Sequence, residues 1–284
     1  MNRRRHVAAG IVHGVSVTLI TLLLLASAAA DGNSLKNADL CNGQDTVTAD
    51  QRVLACTTLI ESHELNSHGM VTAYNTRGNI FAARGQFELA IKDFDESLKL
   101  NPNGIRALNN RGAAYGKSGN LDRAVQDFTA AINITAGEAA AFINRALVYE
   151  KLGKYDLALR DLDDAIRIEP ELGGLRNERC WIHAITVALQ PALGECNEAI
   201  RLGPTSAAKF DSRGLTYLKL GEWDLALADF SAALVLNPKL ASSLYGRGVA
   251  KRRLGDVAAG NSDIAAATTI ERKVETEFTR YGLR

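Results

Sequence analysis

The chain has 284 residues, 46% of them apolar and 23% charged, with 33 basic side chains against 32 acidic ones. That balance excludes a disordered chain, and it leaves no basic field of the kind that nucleic acid or an anionic membrane surface would need. Aromatic residues make up only 6%; abundant alanine and leucine with five prolines predict helices packed through small side chains.

At the N-terminus Arg3, Arg4, Arg5 and His6 form a positive stretch, an apolar run extends from Val15 to Leu25, and Ala28, Ala29 and Ala30 precede Asp31. This is the composition of a secretory signal peptide over residues 1–30. The alternative is an uncleaved anchor, because the stretch from Ile11 to Ala30 is long enough to cross a bilayer. Gly14, Ser16 and the small-residue end favour cleavage. Both readings export the rest of the chain, to the periplasm or beyond, and only an uncleaved segment would bring a membrane into play. Cleavage leaves 30 basic and 32 acidic residues.

Residues 31–70 form an N-terminal helical cap in this reading. Thr48-Ala49-Asp50-Gln51 has the form of a capping box that opens a helix running to about Glu64. Ala55, Cys56, Leu59 and Ile60 give that helix an apolar stripe with which to cover the first repeat.

From residue 71 a 34-residue period sets in. Pro102, Pro170, Pro204 and Pro238 mark it, with Ala136 where a further proline would fall. The units are 71–104, 105–138, 139–172, 173–206, 207–240 and 241–274. A turn glycine recurs as Gly85, Gly119, Gly153, Gly221 and Gly255. Small residues recur five positions later (Ala90, Ala124, Ala158, Ala192, Ala226, Gly260), followed by Phe94, Phe128, Leu162, Cys196, Phe230 and Ile264. The first half of each unit carries Gly78, Gly112, Ala146, Cys180, Gly214 or Gly248. Apolar and small residues three and four apart predict two amphipathic helices per unit, broken by the glycine. One such hairpin cannot bury its apolar face alone, so neighbours must stack. Residues 275–284, with Phe278 and Tyr281, are expected to close the far end.

This pattern resembles the tetratricopeptide-repeat (TPR) family. The resemblance covers residues 71–274 and implies an all-α, right-handed superhelical solenoid. The chain departs from the family in one column. Where leucine is usual before the first-helix glycine, it has Arg77, Arg111, Arg145, Arg179, Arg213 and Arg247. Sixteen residues after each stands an acid: Asp93, Asp127, Asp161, Glu195, Asp229 and Asp263. The two positions lie at similar heights in an antiparallel hairpin, so an ion-pair ladder is expected, within repeats or across to a neighbour, in preference to an anion-binding row. The fourth unit is degenerate at its turn, where Val187, Ala188 and Pro191 replace the glycine neighbourhood.

The resemblance also implies a binding face, because in this family the first helices line a concave groove. Its ligand-contacting columns fall on Asn75, Asn79, Arg106, Asn109, Asn110, Asn144, Asn177, Trp181 and Tyr245, with Lys117, Lys151, Asp211, Lys219, Arg252 and Arg253 beside them. Asparagine amides suit a peptide backbone, since each can both donate and accept. Trp181 is the expected aromatic anchor, and Trp223 falls in a core column. The alternative for the polar residues is a merely solvated face.

Four cysteines lie in the exported part. Cys180 and Cys196 occupy facing columns of the fourth unit, and Cys41 precedes the helix that holds Cys56. The expected pairing is therefore Cys41–Cys56 and Cys180–Cys196, against the alternative that Cys180 and Cys196 are small core residues. A loop of this length closed by a disulfide is worth about 3 kcal/mol in the chain-entropy model.

No catalytic constellation emerges. His63, His68 and His183 have no helical metal-pair spacing, and the cysteines are not spaced for zinc. Gly112 to Ser118 resembles a phosphate loop but has one residue too few and sits in a repeat helix. The sequence predicts no enzyme, no cofactor and no metal. It predicts a protein- or peptide-binding adaptor or scaffold acting outside the cytoplasm, similar to exported bacterial TPR proteins. The alternatives are a structural subunit of an envelope enzyme or secretion complex docking by the convex face and, last, an enzyme.

Overall fold

A computed structural model describes residues 36–43 and 47–283, so the expected signal segment lies outside the described residues. Among the described residues every regular element is a helix. The chain divides into two compact units, one up to Ala114 and one from Tyr115.

The first unit holds α1 (residues 36–42), α2 (Ala49–Ser62), α3 (Ser67–Ala83), α4 (Phe87–Leu100) and most of α5 (Ile105–Ser118). Thr48 opens α2 with a complete capping box: its hydroxyl accepts from the Gln51 N–H, and the Gln51 side chain accepts from the Thr48 N–H. Ala55, Cys56, Leu59 and Ile60 of α2 are buried together with Ala73 of α3, so α2 covers the apolar flank of the first hairpin. A disulfide joins Cys41 to Cys56, with Cα atoms 4.8 Å apart. In the α3–α4 hairpin Phe94 is fully buried against Gly78, where a Cβ would stand 2.8 Å from the ring.

The second unit contains α6 (Leu121–Ile134), α7 (Ala139–Lys151), α8 (Tyr155–Ile168), α9 (Gly173–Ile185), α10 (Leu189–Arg201), α11 (Ala207–Leu220), α12 (Trp223–Leu236), α13 (Ala241–Arg253), α14 (Val257–Ile270) and α15 (Val274–Arg280). Helices pair as antiparallel hairpins α7–α8, α9–α10, α11–α12 and α13–α14, and each hairpin packs on the next. Phe230 is fully buried and fills the gap left by two glycines: a Cβ on Gly246 would come within 2.3 Å of its ring, and one on Gly214 within 2.9 Å. A second disulfide joins the fully buried Cys180 and Cys196, across the α9–α10 hairpin, with Cα atoms 5.2 Å apart.

Within the two units five of the expected hairpin pairs form, and the arginines reach further than the hairpin. Arg77 forks onto Asp93 at 2.9 and 2.7 Å, Arg145 onto Asp161 at 2.8 and 2.7 Å, Arg213 onto Asp229 at 2.7 and 2.8 Å, and Arg247 onto Asp263 at 2.7 and 2.8 Å. Arg179 reaches Glu195 at 2.8 Å. The other guanidinium nitrogen turns to the preceding hairpin. Arg145 donates to Thr129 (2.8 Å), Arg179 pairs with Asp163 (2.7 Å) and Arg213 donates to Asn197 (2.9 Å), each sixteen residues upstream. In the first unit Arg77 donates to Thr57 of α2 (2.9 Å) and Arg111 to Asp95 of α4 (2.6 Å). In alternate repeats the guanidinium also lies between two aromatic rings, Tyr74 and Phe81 around Arg77, Phe142 and Tyr149 around Arg145, and Phe210 and Tyr217 around Arg213.

The turn glycines Gly85, Gly119, Gly153, Gly221 and Gly255 all have positive φ, between 69° and 95°. At the degenerate turn Val187 takes the same conformation, with φ 67°, and its side chain is 66% exposed. A β-branched residue there bears a left-handed penalty of about 1–2 kcal/mol with no packing in return. Val187→Gly is therefore expected to raise stability by about 1 kcal/mol, part of the relief being offset by the greater freedom of glycine in the unfolded chain. Urea denaturation checks this; a lower midpoint for the variant would contradict it.

Candidate functional site

In the second unit the first helices of successive hairpins lie side by side, α9 against α11 and α11 against α13. Beside α9 lies a cavity of about 720 Å³ lined on one side by Leu147, Glu150 and Lys151 of α7 and by Tyr155 at the start of α8. Trp181 and Ile185 of α9 form a second wall, and Arg280 and Tyr281 of the C-terminal segment a third.

Trp181 is half-buried, and its indole N–H donates to Glu150 Oε1 at 3.1 Å. This bond fixes the ring plane and leaves apolar indole surface towards the cavity and towards Tyr281, whose ring meets it edge-on at 5.2 Å. Burial pushes the Glu150 carboxyl above its ordinary value, against the Trp181 bond and the charges of Lys151 and Arg280. Glu178 of α9 lies outside the cavity lining but within electrostatic reach of Glu150. Burial and the charge of Glu150 push its carboxyl up to about 7. Neither carboxylate forms an ion pair among the described residues. A carboxylate half-withdrawn from water beside an indole suits a cationic or hydrogen-bond-donating group.

The sequence-derived residues fall into several groups. Trp181 lies at the cavity, with Lys151 beside it. Tyr245 is only 6% exposed and sits under Phe278, ring centroids 4.7 Å apart, so a segment of the chain itself covers it. Asp211 accepts from Ser242 at 2.8 Å and from Ser243, and burial raises its carboxyl; Lys219 donates to the Ala184 carbonyl at 2.8 Å. These two tie neighbouring first helices together. Asn177 is buried, whereas Asn144 is half-exposed. In the first unit Asn75 turns inward, its amide N–H₂ donating to the Val71 carbonyl (2.9 Å) and to Ser97 of α4 (2.8 Å). The side-chain oxygens of Asn75, Asn109 and Asn177 are buried, so these amides do not present an acceptor to a partner. Asn79 and Arg106 are exposed, and Asn110 is half-exposed.

Sequence reasoning missed Glu150 and Glu178, although both stand in ligand-facing columns. A signal was available: Glu150 occupies a column otherwise filled by Ala82, Gly116, Ala184, Leu218 and Arg252. Among the described residues no group of histidine, cysteine, aspartate and glutamate could hold a metal ion, and no helix is long and apolar enough to cross a membrane.

The repeat architecture has clear relatives. Models described as tetratricopeptide repeat match residues 105–137, 139–172 and 212–267, and one described as TPR repeat matches 78–119. The chain is thus built of tetratricopeptide repeats. No curated protein matches it. Among solved structures it is similar to a tetratricopeptide repeat protein from Parabacteroides merdae, at TM-score 0.69 and 16% identity, covering 89% of this chain and 98% of that one. It is similar to Pseudomonas aeruginosa PilF at TM-score 0.62 and 15% identity, covering 76% and 96%. It also resembles a chain of the APC/C hetero-tetramer Cut9–Hcn1, at TM-score 0.64 and 17% identity; there it covers 84% of itself but spans only 50% of the relative. At these identities the likeness is one of fold.

Glu178 gives the site a pH signature. Its folded pKa, about 7, lies above the ordinary 4.5, so between those values the folded chain holds a proton that the unfolded chain has released. This group therefore favours the folded state on acidification from pH 8 towards pH 5 and opposes it as pH rises. Glu178→Gln is expected to make stability less dependent on pH over that window, with its largest gain over the unmodified chain at pH 8. Denaturation midpoints at pH 5 and pH 8 measure this; the same difference in both proteins would contradict it.

Proposed function

We propose that this chain is a non-catalytic adaptor or scaffold acting outside the cytoplasm, and that it holds a segment of a partner protein on the first-helix face of its repeats. The observation that carries the reading is the cavity at Trp181. It joins indole and tyrosine surface to the Glu150 carboxylate, which forms no ion pair among the described residues, on the face that the repeat architecture leaves unpaired by second helices. An aromatic anchor held in place by its own hydrogen bond is the arrangement that dominates binding energy at protein interfaces. Export is supported by the arginine-led apolar segment over residues 1–30 and by the two disulfides, which persist in oxidising compartments.

A second reading has its own observation. On α12, a second helix, Leu225, Val235 and Leu236 are 48%, 81% and 44% exposed. Exposed apolar side chains at both ends of one helix suit a subunit that docks by its outer face on an envelope enzyme or secretion complex.

The two readings separate by mutation. Residues 31–284 are used to capture partners from an envelope or secreted fraction. Trp181→Ala is expected to lower capture at least tenfold and Val235→Glu to leave it unchanged, with both variants folded by circular dichroism. The opposite pattern would move the working surface to α12.

A further inference from the structure

The C-terminal segment does more than close the last hairpin. Val274 and Phe278 of α15 are buried, 1% and 3% exposed, in the cluster that also includes Tyr245 and Val249 of α13. After α15 the chain turns back through Gly282, at φ 82°; the Gly282 N–H donates to the Thr279 carbonyl and the Leu283 N–H to the Phe278 carbonyl at 2.9 Å. The turn returns Leu283 to the same cluster. Phe278 rests on Tyr245, and Tyr281 stands edge-on to Trp181. One short segment therefore meets two ligand-facing positions, on α13 and on α9. Between its two rings Arg280 lies over Tyr281 at 5.3 Å and donates to its hydroxyl at 3.2 Å, and its charge reaches Glu150.

A cap needs only Val274 and Phe278 to close the apolar side of the last hairpin. The extension through Arg280 and Tyr281 to Trp181, two hairpins away, has no such role. Resting on the reading of this face as a docking surface, we propose that residues 278–283 are its resident ligand. The partner segment this face is built for then carries the same chemistry, two aromatic rings three residues apart with a basic residue between them. The resident segment is displaceable. A seven-residue helix does not hold itself, Thr279 and Arg280 are exposed, and Tyr281 is only half-buried. Tethering gives it an effective concentration on the order of millimolar, so a competing segment succeeds only by adding contacts along the open part of the cavity.

A labelled synthetic peptide copying residues 274–283 tests this by fluorescence anisotropy against the full chain. Tyr281→Ala, which frees the Trp181 wall, is expected to bind the peptide at least tenfold more tightly than the unmodified chain. Adding Trp181→Ala should remove that binding, and a peptide carrying Arg280→Glu should bind at least tenfold more weakly. Equal or absent binding by the unmodified and Tyr281→Ala chains, with matching thermal melts, would overturn the proposal. A concentration-dependent dimer that exchanges tails would assign the surface to a second copy and overturn the partner chemistry. Should captured partner be lost on Trp181→Ala yet resist competition by the peptide, the docking face would stand and this inference alone would fail.

Discussion

The hairpins α3–α4, α7–α8, α9–α10, α11–α12 and α13–α14 are each held by an arginine that stands where an apolar side chain would do the ordinary packing. Arg145 shows the geometry most fully. Two nitrogens fork onto Asp161 of α8, the third reaches Thr129 of α6, and Phe142 and Tyr149 flank the plane. A leucine could fill the volume but could not fix register, because dispersion has no direction. The planar fork binds its own second helix and the preceding one at once, so the same side chain sets both the hairpin and the stacking step. Asp161 and Asp229 are only 4% and 6% exposed, which makes the pairing obligatory once the helices close.

That constraint has consequences for the binding face. The arginines tie second helices to one another, and the small residues Gly214 and Gly246 of the first helices α11 and α13 let Phe230 of α12 seat between them. Polar groups that would otherwise loosen this packing are used between helices, Asp211 on Ser242 and Ser243, and Lys219 on the Ala184 carbonyl. At Glu150, where an acid stands in a column held elsewhere by Ala82, Gly116 and Ala184, a cavity has an indole and a carboxylate at its walls.

The repeat frame was legible because it is written in residues whose backbone or volume leaves little choice. Turn glycines at positive φ and glycines under phenylalanine rings admit few substitutes, and the charge pairs sixteen residues apart declare the hairpin geometry. The capping box at Thr48 could be read for the same reason, since both of its hydrogen bonds are local. The site was harder. Glu150 and Glu178 are ordinary surface acids in one dimension, and only their shared burial beside Trp181 distinguishes them. Asn75 looked available to a ligand but turns to Ser97, a partner twenty-two residues away. Tyr245 sits in a ligand-facing column and is covered by Phe278, a long-range contact that periodicity does not encode. The second arm of each arginine was equally hidden, because Thr129, Asp163 and Asn197 differ in type although they share one position.

The most direct measurement of the central claim is a double-mutant cycle on Arg213 and Asp229 in chemical denaturation. Arg213→Leu alone restores the residue usual in the family but strands a buried carboxylate, and the account predicts a loss of about 3 kcal/mol. Asp229→Leu alone should be similarly damaging, and the double variant should recover most of the loss, giving a coupling of about 2 kcal/mol or more. Single variants each within about 0.5 kcal/mol of the unmodified chain, or losses that simply add, would contradict the view that these arginines set the register of the repeats.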